Sequence, residues 1–394
     1  MYDVTVVGGG IVGLATARAI AARHEGIGLA VLDKEEEVGT HQTGHNSGVL
    51  HSGLYYKPGS LKARLCVKGQ RAMAEFCEQE GIPFGRSGKI VVASTTAEIP
   101  AMEELERRGN ENGLIGIRRL GSDEITEFEP HAIGVAALHV PEAGVVDYPA
   151  VARRIASTLP GDVLTGHAVD SIRSHAGGIE LGTPAGTVRT RVLVNCAGLH
   201  SDRIAAMAGI ESPVKIVPFR GEYYTLTADA APLVQALIYP VPDPRFPFLG
   251  VHFTRRVDGT VEVGPNAVLA LGREHYRGAP ASWSDLWETL RFPGFLKLAA
   301  RFWRTGAAEA WRSAWRSTYA RSARTLVPGI RAEHLIPGGA GIRAQAVTPD
   351  GALVDDFSIV TTEDAVHVLN APSPGATASL AIGEHIAGLV ADRL

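Results

Sequence analysis

Three sets of residues in this chain have the types and spacing that chemistry requires: a glycine run with a following acid, a polar loop rich in histidine, and two arginines set beside glycine. The run Gly8-Gly9-Gly10-Ile11-Val12-Gly13 places glycine at its first, third and sixth positions. Between a strand and a helix, the first such glycine permits a tight turn, the second lets backbone approach a pyrophosphate, and the third lets helix and strand pack closely. The free N–H groups and partial positive charge at the helix start favour phosphate. Asp33 ends the next apolar run, where a carboxylate can accept hydrogen bonds from both ribose hydroxyls. FAD and NAD both satisfy this pattern, so these residues indicate a dinucleotide and leave its identity open.

The segment from His41 to Tyr56 (HQTGHNSGVLHSGLYY) follows. His41 and His45 have the spacing of zinc ligands on a helix, but Gly44, Gly48 and Gly53 argue against that helix, and no metal is expected. A loop of this composition can pass beside a pyrophosphate and an aromatic ring system, offering backbone and hydroxyl donors. Thr43, Asn46 and Ser47 are its cofactor-binding candidates, with Lys34 just after Asp33. Arg220 (in PFRG) and Arg343 (in GIRA) each follow an apolar stretch beside glycine. A guanidinium can hold a carboxylate by two parallel hydrogen bonds, although either arginine could equally form a surface ion pair. His252, flanked by apolar residues, suits a core position or a general base, and His51 competes for the second role.

The elements that must position these residues follow from hydrophobic periodicity. Tyr2 to Val7 reads as a strand, Ile11 to Ala22 as a helix and Leu29 to Asp33 as a strand, which together make a βαβ unit. Lys89 to Ala93, Ala137 to Val140, Lys215 to Leu226 and Val261 to Val263 read as strands, with Asp258-Gly259 a hairpin turn. Arg191 to Gly198, Ala365 to Leu369 and a final helix look like returns to the first unit. The expected fold is α/β (α+β overall), with a Rossmann-like dinucleotide-binding domain at 1–80, 145–210 and 335–394. It is interleaved with a mainly antiparallel β-sheet substrate domain at 81–144 and 211–334. A helical segment at 282–319 holds all five tryptophans interleaved with arginines; this suits core packing first and an interfacial helix second.

Bulk properties exclude several classes. The 394 residues are 45% hydrophobic and 20% charged, with a formal net charge of -4, so neither disorder nor a broad nucleic-acid-binding surface is expected. Cys66, Cys77 and Cys196 form no CxxC pair and are odd in number, which points to reducing cytoplasm. No cleavable signal is expected ahead of the first strand, and no apolar stretch reaches the roughly 18 residues of a spanning helix. Peripheral contact with the inner face of the membrane stays open.

Longer motifs carry a resemblance that runs nearly end to end: HQTGHNSGVLHSGLYYKPGSLKARLC (His41 to Cys66), PEAGVVDY (Pro141 to Tyr148), NCAGLHSDRIA (Asn195 to Ala205), VPFRGEYY (Val217 to Tyr224), YPVPDPRFPFLGVHFTR (Tyr239 to Arg255), PGGAGIRAQAV (Pro337 to Val347), LVDDF (Leu353 to Phe357) and NAPSPGATASLAIGEHIA (Asn370 to Ala387). On these the chain resembles the FAD-dependent L-2-hydroxyglutarate oxidase/dehydrogenase family, within the D-amino-acid-oxidase-like superfamily. The resemblance implies non-covalent FAD, with Gly8, Gly10, Gly13 and Asp33 on its ADP half, Val169 at the adenine through its backbone, and Ala197 and Gly198 near the pyrophosphate. Gly375, Ala376 and Thr377 would face the pyrimidine end of the flavin, where a helix N-terminus stabilises developing negative charge. It implies oxidation of a small dicarboxylate hydroxy acid, L-2-hydroxyglutarate, by hydride transfer to flavin N5, with His51 or His252 taking the hydroxyl proton. Arg343 and Arg220 would orient carboxylates, with Tyr55, Tyr56 and Lys57 near the second one, and oxygen or a quinone would accept the electrons. Asp33 stands where relatives often carry Glu, and the organelle-targeting extension that eukaryotic relatives carry is not expected here. An amine or amino-acid oxidase of the same superfamily and a non-catalytic FAD-binding protein are the alternatives.

Overall fold

The first apolar runs pair side by side. In the computed structural model, which describes residues 1–243, 250–276 and 280–394, β1 (Tyr2–Val7), α1 (Ile11–Arg23) and β2 (Leu29–Leu32) form the expected βαβ unit. β1 pairs in parallel with β2 on one side and with Gly186–Asn195 on the other; Ala365–Asn370 extends the sheet beyond the latter and Asp162–Leu164 beyond β2. Parallel strands covered on both faces need apolar residues throughout. Ala365–Asn370 accordingly has every residue buried, and so does β2. α1 and the last helix, Gly375–Ala391, lie against each other, and α2 (Leu61–Glu80) packs on that last helix, burying Leu14, Ile20, Met73, Ile382 and Ile386 in one core.

The second sheet is mainly antiparallel. Its long strand Lys215–Leu226 runs against Leu335–Val347 on one side, and the sheet continues through Val261–Gly264, His252–Arg255, Leu237–Pro240, Lys89–Ala93 and Ala136–Val140. Only the pairing of Leu237–Pro240 with Lys89–Ala93 is parallel among the pairs just named. Gly259 takes a positive φ of 84° at the Asp258-Gly259 turn, as the hairpin signal requires. One expected boundary moves. Residues 335–347, assigned from sequence to the first domain, instead supply the neighbour of Lys215–Leu226 along almost its whole length, so the chain rejoins the first sheet only with Ser358–Thr361.

The segment after residue 282 forms helices Trp283–Arg291, Pro293–Ala314 and Arg316–Ala323. Phe292, Phe295 and Leu298 pack onto Val217 and Val347 of the second sheet. The tryptophans do not pack in the core as expected: Trp283, Trp287, Trp303, Trp311 and Trp315 are between 52% and 77% exposed. The phenylalanines and Leu298 fill the inward positions, which leaves the indoles on the outer face.

Candidate active site

A cavity of about 840 Å³ runs between the two sheets, from Val169, Asp33 and Gly10 past Ala197 and Gly198 to Gly375, Arg343 and His252. That is large for a small-molecule site, for which ~300–1,000 Å³ is usual. At its first end the glycine turn is closed by protein and open to a ligand in the places the fingerprint demands. Gly8 has φ +113°, and a Cβ on it would come within 2.4 Å of the Cys196 carbonyl oxygen. A Cβ on Gly13 would lie 1.9 Å from the Gly8 carbonyl oxygen, so the close crossing of turn and helix admits no side chain. Gly10 differs: its Cβ would meet nothing nearer than Thr43 Oγ1 at 3.5 Å, which leaves the space in front of the helix start free for a phosphate.

Side chains around this turn are already tied down. Asp33 accepts from Gly9 N–H (2.7 Å) and Glu35 N–H (2.9 Å), and burial raises its carboxyl above the usual range against those bonds. Each oxygen keeps a lone pair for a ribose hydroxyl. Thr43 Oγ1 accepts from Ile11 N–H at 3.0 Å, capping the helix. Asn46 holds the loop through the Thr43 carbonyl and Gly48 N–H, and Ser47 lines the cavity. Lys34 pairs with Glu35 and, at 2.8 Å, with Glu274, which also bonds His200 at 2.7 Å. Burial opposes ionisation of Glu274, but His200 and Lys34 outweigh it and hold the carboxyl at about 2. Glu35, His41 and Glu274 come within 4.8 Å of one another, as metal ligands would, yet the Lys34 ammonium supplies the cation there. His45 does not join His41: it stacks on Tyr276 at 4.1 Å.

The far end is built by both sheets. His51, Tyr55 and Tyr56 come from the loop after Val49–Leu50, Arg343 from Leu335–Val347, Tyr239 and His252 from neighbouring strands, and Tyr223 from Lys215–Leu226. Thr377 ties this loop to the last helix: its Oγ1 accepts from His51 N–H at 3.1 Å and donates to the Val49 carbonyl at 3.1 Å. The hydroxyl is thereby spent on the scaffold, so a flavin would meet the backbone of Thr377. His252 Nδ1 lies 2.9 Å from the Gly250 carbonyl. A carbonyl can only accept, so Nδ1 carries the proton and Nε2 keeps its lone pair. The ring stacks on Tyr239 at 4.0 Å. Burial lowers His252 to about 4 and His51 to about 3, and Lys89 adds to both, so both imidazoles are neutral near pH 7. His51 Nδ1 and the Tyr55 hydroxyl have no hydrogen-bond partner among the described residues, a condition tolerated where a ligand or water completes the site. Arg343 lines the cavity with its side chain open to it, and the surrounding protein lowers its pKa by desolvation against the pull of Tyr223, Tyr56 and Asp355.

Two sequence candidates are placed differently from expectation. The strand register sets Phe219 opposite Arg343 and Arg220 opposite Ile342, so Arg220 leaves the sheet on the face opposite to Arg343. Arg220 still lines the cavity, as expected, but its guanidinium is engaged by Glu222 at 2.7 Å and His275 at 3.0 Å, away from the Arg343 end. Lys57 is exposed and does not line the cavity, because its carbonyl accepts from Ser60 N–H and Oγ in the turn that opens α2. Lys62, five residues on and inside α2, lines the cavity instead, donating to the Asp355 carbonyl at 3.1 Å with its ammonium over the Tyr56 ring. Sequence reasoning also passed over Tyr223, Tyr239 and Asp355, for which no local signal exists beyond membership of the longer motifs. Residues 244–249 of the DPRFPFLGVHFTR motif lie outside the described residues.

A family model described as FAD dependent oxidoreductase matches residues 3–389. L-2-hydroxyglutarate dehydrogenase of Indibacter alkaliphilus is 51% identical over 97% of each chain. L-2-hydroxyglutarate dehydrogenase, mitochondrial, of Homo sapiens is 42% identical over 100% of this chain and 88% of its own, and L-2-hydroxyglutarate dehydrogenase of Escherichia coli is 42% identical over 99% and 93%. Among solved structures, FAD-bound L-alpha-glycerophosphate oxidase from Mycoplasma pneumoniae superposes with a TM-score of 0.81 at 22% identity, over 99% of this chain and 94% of that one. Glycine oxidase from Geobacillus kaustophilus gives 0.74 at 21%, over 100% and 95%. At these identities the two structures speak to the fold alone.

Proposed function

The chain belongs to the FAD-dependent oxidoreductase family, and on that footing we propose that it oxidises L-2-hydroxyglutarate to 2-oxoglutarate. The observation that carries this reading is an arginine in the cavity wall with two neutral histidines and four tyrosines, at the ring end of a dinucleotide-sized cavity, in a chain matching L-2-hydroxyglutarate dehydrogenases over its whole length. When bound, FAD supplies the acceptor for the hydride that leaves C2. Gly8, Gly10, Gly13 and Asp33 would hold its ADP half, and the start of Gly375–Ala391 its ring end.

Arg343 fixes one substrate carboxylate by paired hydrogen bonds and so sets the orientation of C2. His252 receives the hydroxyl proton on Nε2, the nitrogen left unprotonated by the Gly250 bond. His51, neutral and without a partner on Nδ1, contributes a hydrogen bond to the substrate. Lys62 and the tyrosine hydroxyls meet the second carboxylate, in the place first assigned to Arg220 and Lys57. A buried carboxylate without such partners is costly, so the chamber disfavours substrates that cannot use both anchors.

The exposed indoles of Trp283, Trp287 and Trp303 are interleaved with Arg291 and Arg304, whose guanidinium groups lie 5.5 and 5.4 Å from the Trp287 and Trp303 rings. This combination fits the headgroup region of an anionic bilayer, at which a quinone acceptor would be met; oxygen is the alternative acceptor. No helix among the described residues is long and apolar enough to cross a membrane.

Anaerobic titration of the purified protein, followed at the flavin absorbance, tests the reaction. L-2-Hydroxyglutarate should bleach the flavin, while its D enantiomer and L-lactate should not. Faster bleaching by glycine or sarcosine would move the protein to the amine oxidases.

A further inference from the structure

Lys89 opens the strand Lys89–Ala93, in which every residue is buried, and is itself 1% exposed. A buried ammonium is costly unless paired. Among the described residues, however, no carboxylate or hydrogen-bond acceptor meets its Nζ. The ammonium lies instead 4.4 Å from the centre of the Tyr55 ring and 5.0 Å from that of Tyr239. Both rings line the cavity, and Tyr239 stacks on His252. The charge therefore sits one side-chain layer behind the wall of the chamber.

The groups facing it are few. Its ladder partners, Leu237 and Val140, are apolar. α2 contributes Cys66, the loop after Val49–Leu50 contributes His51 and Tyr55, and the neighbouring strands contribute Tyr239 and His252. Burial pushes Cys66 up to about 12, raises both tyrosines and keeps both histidines neutral. None of these groups provides a counter-charge near pH 7. With no counter-charge among the described residues, that role falls to a ligand in the chamber.

We propose that Lys89 is a specificity-determining charge, a buried cation one layer behind Tyr55, Tyr239 and His252 that makes the chamber select a substrate bearing a second carboxylate over its monocarboxylate analogue. The inference rests on the dicarboxylate reading above. With the chamber empty, burial brings Lys89 down to about 7, so much of it is uncharged under mildly alkaline conditions. A dianion restores the ammonium, and binding above pH 7 then draws a proton from solution. Below pH 7 the ammonium is already present and affinity is flat. Above it, affinity falls by up to about tenfold per pH unit.

The probes are glutarate, a dicarboxylate without the reactive hydroxyl, and butyrate, its one-carboxylate counterpart, bound to the FAD-loaded protein. Calorimetry at pH 8 in buffers of unlike ionisation heat reads proton uptake. Wild type should take up a proton with glutarate. Lys89→Met should lose that uptake and bind glutarate about tenfold or more weakly, with butyrate little changed. Lys89→Arg, permanently charged, should keep glutarate binding and make it independent of pH with no uptake. Equal losses for both ligands in Lys89→Met would reduce Lys89 to a packing residue, and proton uptake persisting in either variant would overturn the proposal. Should Lys89→Met fail to hold FAD, Lys89→Arg decides alone. The oxidation reading fails separately: wild type that binds glutarate with proton uptake yet is not bleached by L-2-hydroxyglutarate keeps the role of Lys89 and loses the reaction. Wild type that is bleached but binds glutarate independently of pH keeps the reaction and loses the role of Lys89, and failure to bind glutarate at all overturns it outright.

Discussion

Replacing Gly10 and Gly13 by alanine, one at a time, separates space reserved for the cofactor from space reserved for packing, since both open the same helix against different neighbours. A Cβ on Gly13 would sit 1.9 Å from the Gly8 carbonyl oxygen and 3.3 Å from Cys196 Cβ. Ordinary contact is roughly 3.5 Å, so the turn would have to open by about 1.5 Å. The obstacle is backbone, and no rotamer relieves it. Overpacking that side chains can absorb costs ~1–3 kcal/mol, and a backbone clash belongs at or above the top of that range. About 3 kcal/mol is a large fraction of the ~5–15 kcal/mol by which a folded protein is stable. A Cβ on Gly10 is 3.5 Å from Thr43 Oγ1, an ordinary contact, at a φ of -75° that alanine adopts freely. Gly10→Ala should therefore leave the apoprotein within about 1 kcal/mol of wild type, while its methyl group intrudes on the expected pyrophosphate position and weakens FAD binding tenfold or more. Thermal melts of acid-stripped proteins and quenching of FAD fluorescence on titration read the two effects apart. Early melting of Gly10→Ala apoprotein, or wild-type FAD affinity in that variant, would refute the division.

Further outcomes test the chamber and the outer surface. Arg343→Lys should lower kcat/KM by ~10–100-fold, the worth of a charge-assisted hydrogen bond, through both parameters, because a point charge cannot reproduce the paired geometry; an unchanged kcat/KM would remove Arg343 from substrate binding. His252→Ala should lower kcat by about 10²–10⁴ with KM little affected, whereas His51→Ala, which loses a hydrogen bond to the substrate, should chiefly raise KM; the reverse pattern moves the base to His51. With His252 depressed to about 4, its neutral form survives well below its ordinary 6.5, so the acid limb of kcat/KM for the wild type should fall near pH 4 rather than near 6, and a limb near 6 would contradict the burial of that ring. Vesicles rich in anionic lipid should pull the protein down at low salt and less so at high salt, and replacing Trp283, Trp287 and Trp303 by serine should abolish this; no sedimentation at either salt leaves the helical cap a packing role only.

What could be read in advance divides along a physical line. The glycine turn, Asp33 and the first strands were legible because each depends on backbone events within about thirty residues, where spacing determines geometry. Arg220 and Arg343 have almost the same local setting, apolar residues before and a small residue after, and nothing local separates them. The separation comes from register: Phe219 lies opposite Arg343, which sends the two guanidinium groups to opposite faces of the sheet. Lys57 lies before the Ser60 cap and Lys62 just after it, and the turn closed by that cap decides which of them looks inward. Lys89 could not be singled out at all. A lysine ahead of IVVA reads as the solvated first residue of a strand, and only the tertiary packing of the flanking strands, α2 and the loop bearing Tyr55 buries it. The tryptophans misled in the opposite sense, since apolar surface predicts burial on average while their helices turn Phe292, Phe295 and Leu298 inward.

The charges around the ring end explain why a neutral imidazole suffices there. Arg343 and Lys62 line the chamber and Lys89 stands behind it, whereas among the described residues Asp355 is the acid that lines this end, with its backbone carbonyl bonded to Lys62. Removing the C2 hydroxyl proton makes the substrate more negative before the hydride has left, and cations held in place by the fold stabilise that charge without reorganising. A histidine protonated at rest would add another positive charge and could not accept the proton; burial prevents this, and Lys89 adds to it, by lowering both histidines. The same cations that select a dianion thus keep the base free. A substitution that removes Lys89 should consequently raise the acid limb of kcat/KM toward ordinary histidine values while it weakens dicarboxylate binding. A purely structural loss would lower activity at every pH and leave that limb where it was.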